Sequence, residues 1–169
     1  LIKAIEPSIE DQEASVIDLN GKLLSPGFID IHTHLREPGF EYKETVLTGT
    51  KSALYGGYST IVAMANTKPC MDDIETIERL ENIIKKDARV HTYTYSAITT
   101  DLAGKELVNM EANQTNNIVV GFSDDGKGVQ SHDMMEKAMK KVKELDSIIV
   151  AHCEDESELK PGGCIHEGT

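Results

Sequence analysis

The feature that most limits how this chain can fold is a regular alternation, from Ser25 onward, of short β-type runs with helical patterns. Phe28-Ile29-Asp30-Ile31 opens it, directly after Ser25-Pro26-Gly27. Thr45 to Tyr55 reads as a helix closed by Gly56-Gly57, and Ser59 to Met64 as the next strand. Asp73 to Asp87 sets Ile74, Ile77, Leu80 and Ile84 on one helical face. Val90 to Tyr95 predicts a third strand, Ala103 to Glu111 a helix, and Asn117 to Phe122 a fourth strand ending in Ser123-Asp124-Asp125-Gly126. Ser131 to Leu145 predicts a helix capped by Ser131, with Met134, Met135, Ala138 and Val142 facing inward. Ser147 to Ala151 then predicts a fifth strand leading into His152. Such an order implies βαβ units with parallel strands, and right-handed crossovers put all the strand C-termini on one face. Two α/β architectures fit: an unfinished eight-stranded barrel, which needs about 250 residues when whole, or a complete five-stranded doubly wound sheet.

Residues 1–24 break the rhythm. Ser15 to Leu19, a turn at Asn20-Gly21 and Lys22 to Leu24 read as a β-hairpin, part of a small all-β appendage. The chain opens on Leu1 rather than Met, so its numbering is expected to start inside a longer reading frame, and Leu1 to Pro7 has no apolar signal-peptide core. No apolar run approaches the ~20 residues that cross a membrane. Against 17 Lys and Arg stand 29 Asp and Glu, a formal charge of −12. That field repels phosphate backbones and anionic lipid, which argues against nucleic acid and membrane as partners. An anionic substrate would therefore need a local cation. Cys70, Cys153 and Cys164 form no C-x-x-C pair and read as reduced thiols of a cytoplasmic protein. With no Trp and 5% aromatics, a base-stacking groove is not expected.

The chemistry-bearing residues fall at strand ends. His32 and His34 follow the first strand run, and residues i and i+2 of a strand point to the same side. Two imidazoles there can hold one metal ion, although an isolated H-x-H pair equally suits a solvated loop. Asp125 ends the fourth strand run and His152 the fifth. Taken singly, Asp124-Asp125-Gly126 is a turn and His152 a hydrogen-bonded histidine. Taken together, they share the face where α/β folds carry their sites. Three imidazoles and a carboxylate suit Zn²⁺, and a carboxylate can bridge two ions that activate a water. The residues alone point to a metal-dependent hydrolase.

Ser25-Pro26-Gly27-Phe28-Ile29-Asp30-Ile31-His32-Thr33-His34-Leu35-Arg36-Glu37-Pro38-Gly39 resembles the opening signature of the amidohydrolase superfamily. Its Leu35 to Gly39 extension is similar to the dihydroorotase family in particular. So are Ala65-Asn66-Thr67-Lys68-Pro69, Phe122 to Gly126, Val150-Ala151-His152-Cys153-Glu154 and, without assigned chemistry, His166-Glu167-Gly168. The likeness runs in order from Ser25 onward and is greatest to the single-function bacterial type. It implies a (β/α)8 TIM-type barrel of which residues 25–169 supply about five βα units, preceded by part of a small β-sandwich in residues 1–24. It also implies reversible cyclisation of N-carbamoyl-L-aspartate to L-dihydroorotate in pyrimidine biosynthesis, with one or two zinc ions.

By that resemblance His32 and His34 would hold one zinc, Asp125 would bridge two metal positions, and His152 would hold the second. Arg36 and Asn66 match residues that hold the substrate's carboxylate, and Arg36 is the local cation that the charge argument asks for. The family's general acid/base, an aspartate of the eighth strand, and a sixth-strand histidine ligand are expected beyond Thr169, and Asp124 is a poor substitute. Ala65 stands where the family commonly has proline. His91, His132 and Cys153 receive structural readings. A homodimer and a complex with aspartate transcarbamoylase are the partners the resemblance allows. A related cyclic amidohydrolase such as a hydantoinase or allantoinase, and a non-catalytic scaffold, are the competing readings. Five strands with open edges also predict that residues 1–169 alone pack loosely or dissolve poorly.

Overall fold

The computed structural model describes residues 2–158. Four strands form one parallel sheet: β1 (Phe28–Thr33), β2 (Tyr58–Ala63), β3 (His91–Ser96) and β4 (Val119–Phe122), hydrogen-bonded in the order β1-β2-β3-β4. Between and after them lie α1 (Val46–Tyr55), α2 (Ile74–Asp87), α3 (Met110–Gln114) and α4 (His132–Glu144).

The helix starts follow from side-chain capping. Thr45 accepts from the Thr48 N–H, Asp73 from the Thr76 N–H, and Ser131 from the Met134 N–H. Charges then follow the helix dipole, with Glu75 early and Lys85 and Lys86 late in α2, and Asp133 early and Lys141 and Lys143 late in α4.

The core decides between the two architectures left open by the sequence. Val46 of α1, Ile77 and Leu80 of α2, Met110 of α3 and Ala138 and Val142 of α4 join one buried cluster with Ile61, Ala63, Val119 and Phe122 of the sheet. Val62, Met64 and Tyr95 form a separate cluster on the other face, flanked by Tyr93 and Val150. Helices on one face, with strands paired in chain order, describe a barrel wall. A doubly wound sheet would cover both faces and reverse its strand order. The fold is thus that of the opening βα units of a TIM-type barrel.

Three expectations need correction. The helix expected at Ala103 to Glu111 is instead a 3₁₀ turn at Thr100–Leu102 followed by the short α3. Positive φ at Asp101, Leu102 and Gly104 interrupts any helix there, Leu107 bridges to Thr99, and the Asn109 side chain caps α3 at the Ala112 N–H. The fifth strand is a single parallel bridge, Phe122 to Ile149, with bonds from Phe122 N–H to Ile148 C=O and from Val150 N–H to Phe122 C=O. A segment with a partner on one side only gains half the ladder bonds of an inner strand. The hairpin in residues 15–24 reduces to its turn. Lys22 N–H donates to Leu19 C=O at 3.0 Å, and Asn20 and Gly21 have φ of 50° and 77°, as a type I′ turn requires. No strand flanks it among the described residues, and Val16, Ile17, Leu23 and Leu24 are exposed, so no apolar face holds a hairpin together. Cys164 and His166-Glu167-Gly168 lie outside the described residues.

Candidate metal centre and adjoining cavity

Irregular pairing aims the site. From Asp30 to Thr33 β1 advances three residues while its partners on β2, Ile61 to Ala63, advance two. From Val119 to Phe122 β4 does the same against Thr94 to Ser96 of β3. An extra residue bends a strand and re-aims the side chains beyond it. The first contains His32 and precedes His34, and the second ends three residues before Asp125. The one in β1 is held by Asp30, whose Oδ1 accepts from the His32 N–H at 3.0 Å, and by Tyr95, whose hydroxyl donates to the Ile31 C=O at 3.1 Å.

His32, His34, Asp125 and His152 converge as the strand-end argument expected. Asp125 Oδ1 lies 3.4 Å from His32 Nε2 and 3.1 Å from His152 Nδ1, and its Oδ2 lies 3.4 Å from His34 Nε2. Each carboxylate oxygen thus faces a different β1 imidazole. Ligands bound at about 2.0–2.1 Å in a tetrahedron stand roughly 3.3 Å apart, so these 3.4 Å separations suit a shared divalent ion. The donor set therefore fits a metal.

Asn66 reaches the metal site with its amide oxygen. Its Oδ1 faces His34 Nδ1 at 3.0 Å. An amide oxygen only accepts, so His34 donates from Nδ1 and presents Nε2 to Asp125. Arg36 has φ 63°, a left-handed backbone that costs a non-glycine residue on the order of 1 kcal/mol. Its C=O accepts from the Phe40 N–H, while its half-buried side chain has no hydrogen bond or ion pair among the described residues. The structure does not bring Arg36 into the cavity that Asn66 lines.

That cavity, about 350 Å³, is walled by Phe40 after β1 and by the loops after β2, β3 and β4, and both Asn66 and Asp125 open onto it. Close backbone packing joins the loops. A Cβ on Gly39 would stand 2.0 Å from the Lys68 carbonyl oxygen, and Lys68 N–H donates to Pro38 C=O at 3.0 Å. A Cβ on Gly128 would stand 2.6 Å from the His152 carbonyl oxygen, which seats the His152 segment against the β4 loop.

Sequence reasoning missed Glu154, whose Oε2 lies 2.7 Å from His152 Nε2. That bond, with Asp125 beside the ring, holds the imidazole's pKa above its usual value despite some burial. An acidic residue two positions after a candidate ligand was the available signal. Asp124 is structural: it accepts from the Ile98 and Thr99 N–H groups at 2.7 and 3.1 Å and from the Thr99 hydroxyl. Burial pushes its carboxyl up, against the pull of these donors, and with both oxygens engaged it is no free base. A second convergence joins Cys70 and Asp101, which line the same cavity, with Asp72. Burial, with Asp72 next to it, pushes the Cys70 thiol up to about 12, and a thiol that keeps its proton is a poor metal ligand.

A solved structure shares the fold. The L-hydantoinase (dihydropyrimidinase) from Arthrobacter aurescens superposes with a TM-score of 0.74 at 23% identity, over 87% of this chain and 34% of that one. At that identity the likeness is one of fold. The sequence narrows it further: the model of the dihydro-orotase-like family matches residues 21–169, and the chain belongs to that family. Dihydroorotases of Listeria welshimeri and Staphylococcus aureus are 51% and 47% identical over 167 and 169 residues, each alignment covering 99% of this chain and 39% of the relative. The chain therefore spans about two-fifths of the length of the curated relatives it matches.

Proposed function

We propose that this chain is the amino-terminal part of a cytoplasmic dihydroorotase, an enzyme of pyrimidine biosynthesis that interconverts N-carbamoyl-L-aspartate and L-dihydroorotate with one or two zinc ions. The observation that carries the reading is Asp125, whose two oxygens face His32 and His34 Nε2 at 3.4 Å, in a family member about half identical to dihydroorotases. His32, His34, Asp125 and His152 would hold the metal, which supplies Lewis acidity and brings the pKa of a water to about 7. Asn66 keeps the His34 Nε2 lone pair available. Arg36, with a planar donor fork and no partner for its side chain among the described residues, is suited to hold the substrate carboxylate. The general acid/base comes from a segment after Thr169. Residues 1–24 join a small β-sandwich completed by other parts of the protein. No helix among the described residues is long and apolar enough to cross a membrane.

The test is turnover by the protein of the complete reading frame, supplied with zinc, on L-dihydroorotate beside hydantoin and allantoin. Opening of dihydroorotate alone, abolished by His32→Ala and reduced by Arg36→Ala, is the expected result. Turnover of hydantoin or allantoin instead would reassign the substrate, and a folded, metal-loaded protein that opens no ring would mean a scaffold. Sedimentation of the same protein, alone and with aspartate transcarbamoylase, tests for a homodimer and for that complex.

A further inference from the structure

Arg36 stands in a left-handed backbone, and such a conformation persists only where its surroundings over-determine it. On one side Leu35 is buried in the core cluster. On the other, the Glu37 side chain reaches nine residues along the chain, where its Oε2 accepts from the Val46 N–H at 2.8 Å. Val46 is the first residue of α1 and fully buried, and the first N–H groups of a helix have no partner within it. A carboxylate there satisfies a buried donor and lies at the positive end of the helix dipole. Glu37 makes no other side-chain hydrogen bond and no ion pair among the described residues. The backbone beyond is tied as well, by Phe40 N–H to Arg36 C=O at 2.9 Å and Lys68 N–H to Pro38 C=O at 3.0 Å. Both flanks of Arg36 are thus anchored, while its guanidinium has no partner among the described residues.

We infer that Glu37 is a positioning residue: by anchoring this segment to the start of α1 it holds the Arg36 backbone and so sets where the guanidinium meets the substrate carboxylate. This rests on the dihydroorotase reading, with Arg36 as the carboxylate holder, and deepens it. A planar fork binds a carboxylate through two parallel bonds, so its grip depends on orientation. A small rotation of the residue that carries the fork weakens binding and leaves the bond-making step at the metal centre. Glu37 acts through Arg36, with no contact of its own to the reacting atoms.

The experiment uses the full-length zinc protein and measures kcat and KM for L-dihydroorotate in Glu37→Ala, Glu37→Gln, Arg36→Ala and Arg36→Ala/Glu37→Ala. Glu37→Ala is expected to raise KM about tenfold, with kcat within about twofold of wild type. In the opposite direction kcat/KM should fall by the same factor, because the equilibrium constant of the reaction is fixed. Glu37→Gln keeps an oxygen that accepts from Val46 and should stay within about threefold of wild type. The double variant should match Arg36→Ala within about twofold, since a residue that acts through Arg36 then has nothing left to position. Thr45→Ala, which removes the side-chain cap of α1, should lower the urea midpoint and keep the wild-type KM. A folded Glu37→Ala with wild-type KM overturns the inference and leaves the dihydroorotase reading standing. So do losses that multiply in the double variant, a Glu37→Gln as impaired as Glu37→Ala, or an equal KM rise in Thr45→Ala. If Glu37→Ala does not fold, Glu37→Asp, with its acceptor drawn back by one methylene, replaces it in the same cycle, and the same outcomes decide. An Arg36→Ala protein with unchanged KM, or a wild type that opens no dihydroorotate, defeats the reading itself, and the inference falls with it.

Discussion

β2 and β3 pair without interruption, Thr60 to Ala63 against His91 to Thr94, and supply Ile61 and Ala63 to one core cluster and Val62 and Tyr95 to the other. β1 and β4 each advance one residue more than the neighbouring strand at one step, Asp30 to Thr33 and Val119 to Phe122, and the metal-site side chains lie within or beyond those steps. The difference separates two tasks. The regular inner pair holds the sheet together, while the irregular outer pair carries the metal-site donors. Stability and metal affinity should therefore respond to different substitutions.

Ile61→Ala should break the fold side of this contrast most. Removing a side chain that is 2% exposed costs about 3 kcal/mol, within the usual range for core truncation. The full-length protein should unfold at lower urea concentration yet, below that transition, bind zinc as tightly as wild type. Weaker zinc binding by the folded variant would mean that the two tasks are not separable. Asn66→Ala should show the converse. The His34 ring loses the partner that fixes its tautomer, and loss of such an outer partner typically weakens metal affinity 10–100-fold. Titration against a chromophoric chelator measures it, with the urea midpoint expected to shift little.

Asp30→Ala tests the device in β1 itself. Loss of the acceptor for the His32 N–H should cost about 1 kcal/mol and appear as weaker zinc binding, not as a changed substrate preference. The smallest effect should come from Glu154→Gln. A proton on His152 competes with a metal there, and the raised pKa extends that competition to higher pH. Removing Glu154, the largest cause of the shift, should move the pH of half-maximal zinc loading downward. A midpoint that stays in place or rises would show that Glu154 does not set the His152 proton.

Much of this was legible in the sequence because the signals were local. Thr45, Asp73 and Ser131 cap helices where polar residues precede apolar periodicity, and His32, His34, Asp125 and His152 meet because parallel strands share one end. What escaped was set by tertiary partners. Lys105, Glu106 and Leu107 have helical propensity, but the bridge of Leu107 to Thr99 and the bond from Val108 N–H to Ile98 C=O draw the run into an irregular loop. Asn66 was legible as a polar residue at a strand end, whereas its bond to His34 depends on a neighbour thirty-two positions away. The register shifts of β1 and β4 leave no mark in the hydrophobic pattern, since they exist only relative to the strand beside them.

The contact of Gly39 with the Lys68 carbonyl has an evolutionary consequence. It ties the segment that carries Arg36 to the segment that carries Asn66 and Lys68 without any side chain between them. Neither loop can lengthen or shift alone, so a change of substrate should arise by paired replacements across the two. A larger residue at position 39 would close that route by forcing the loops apart.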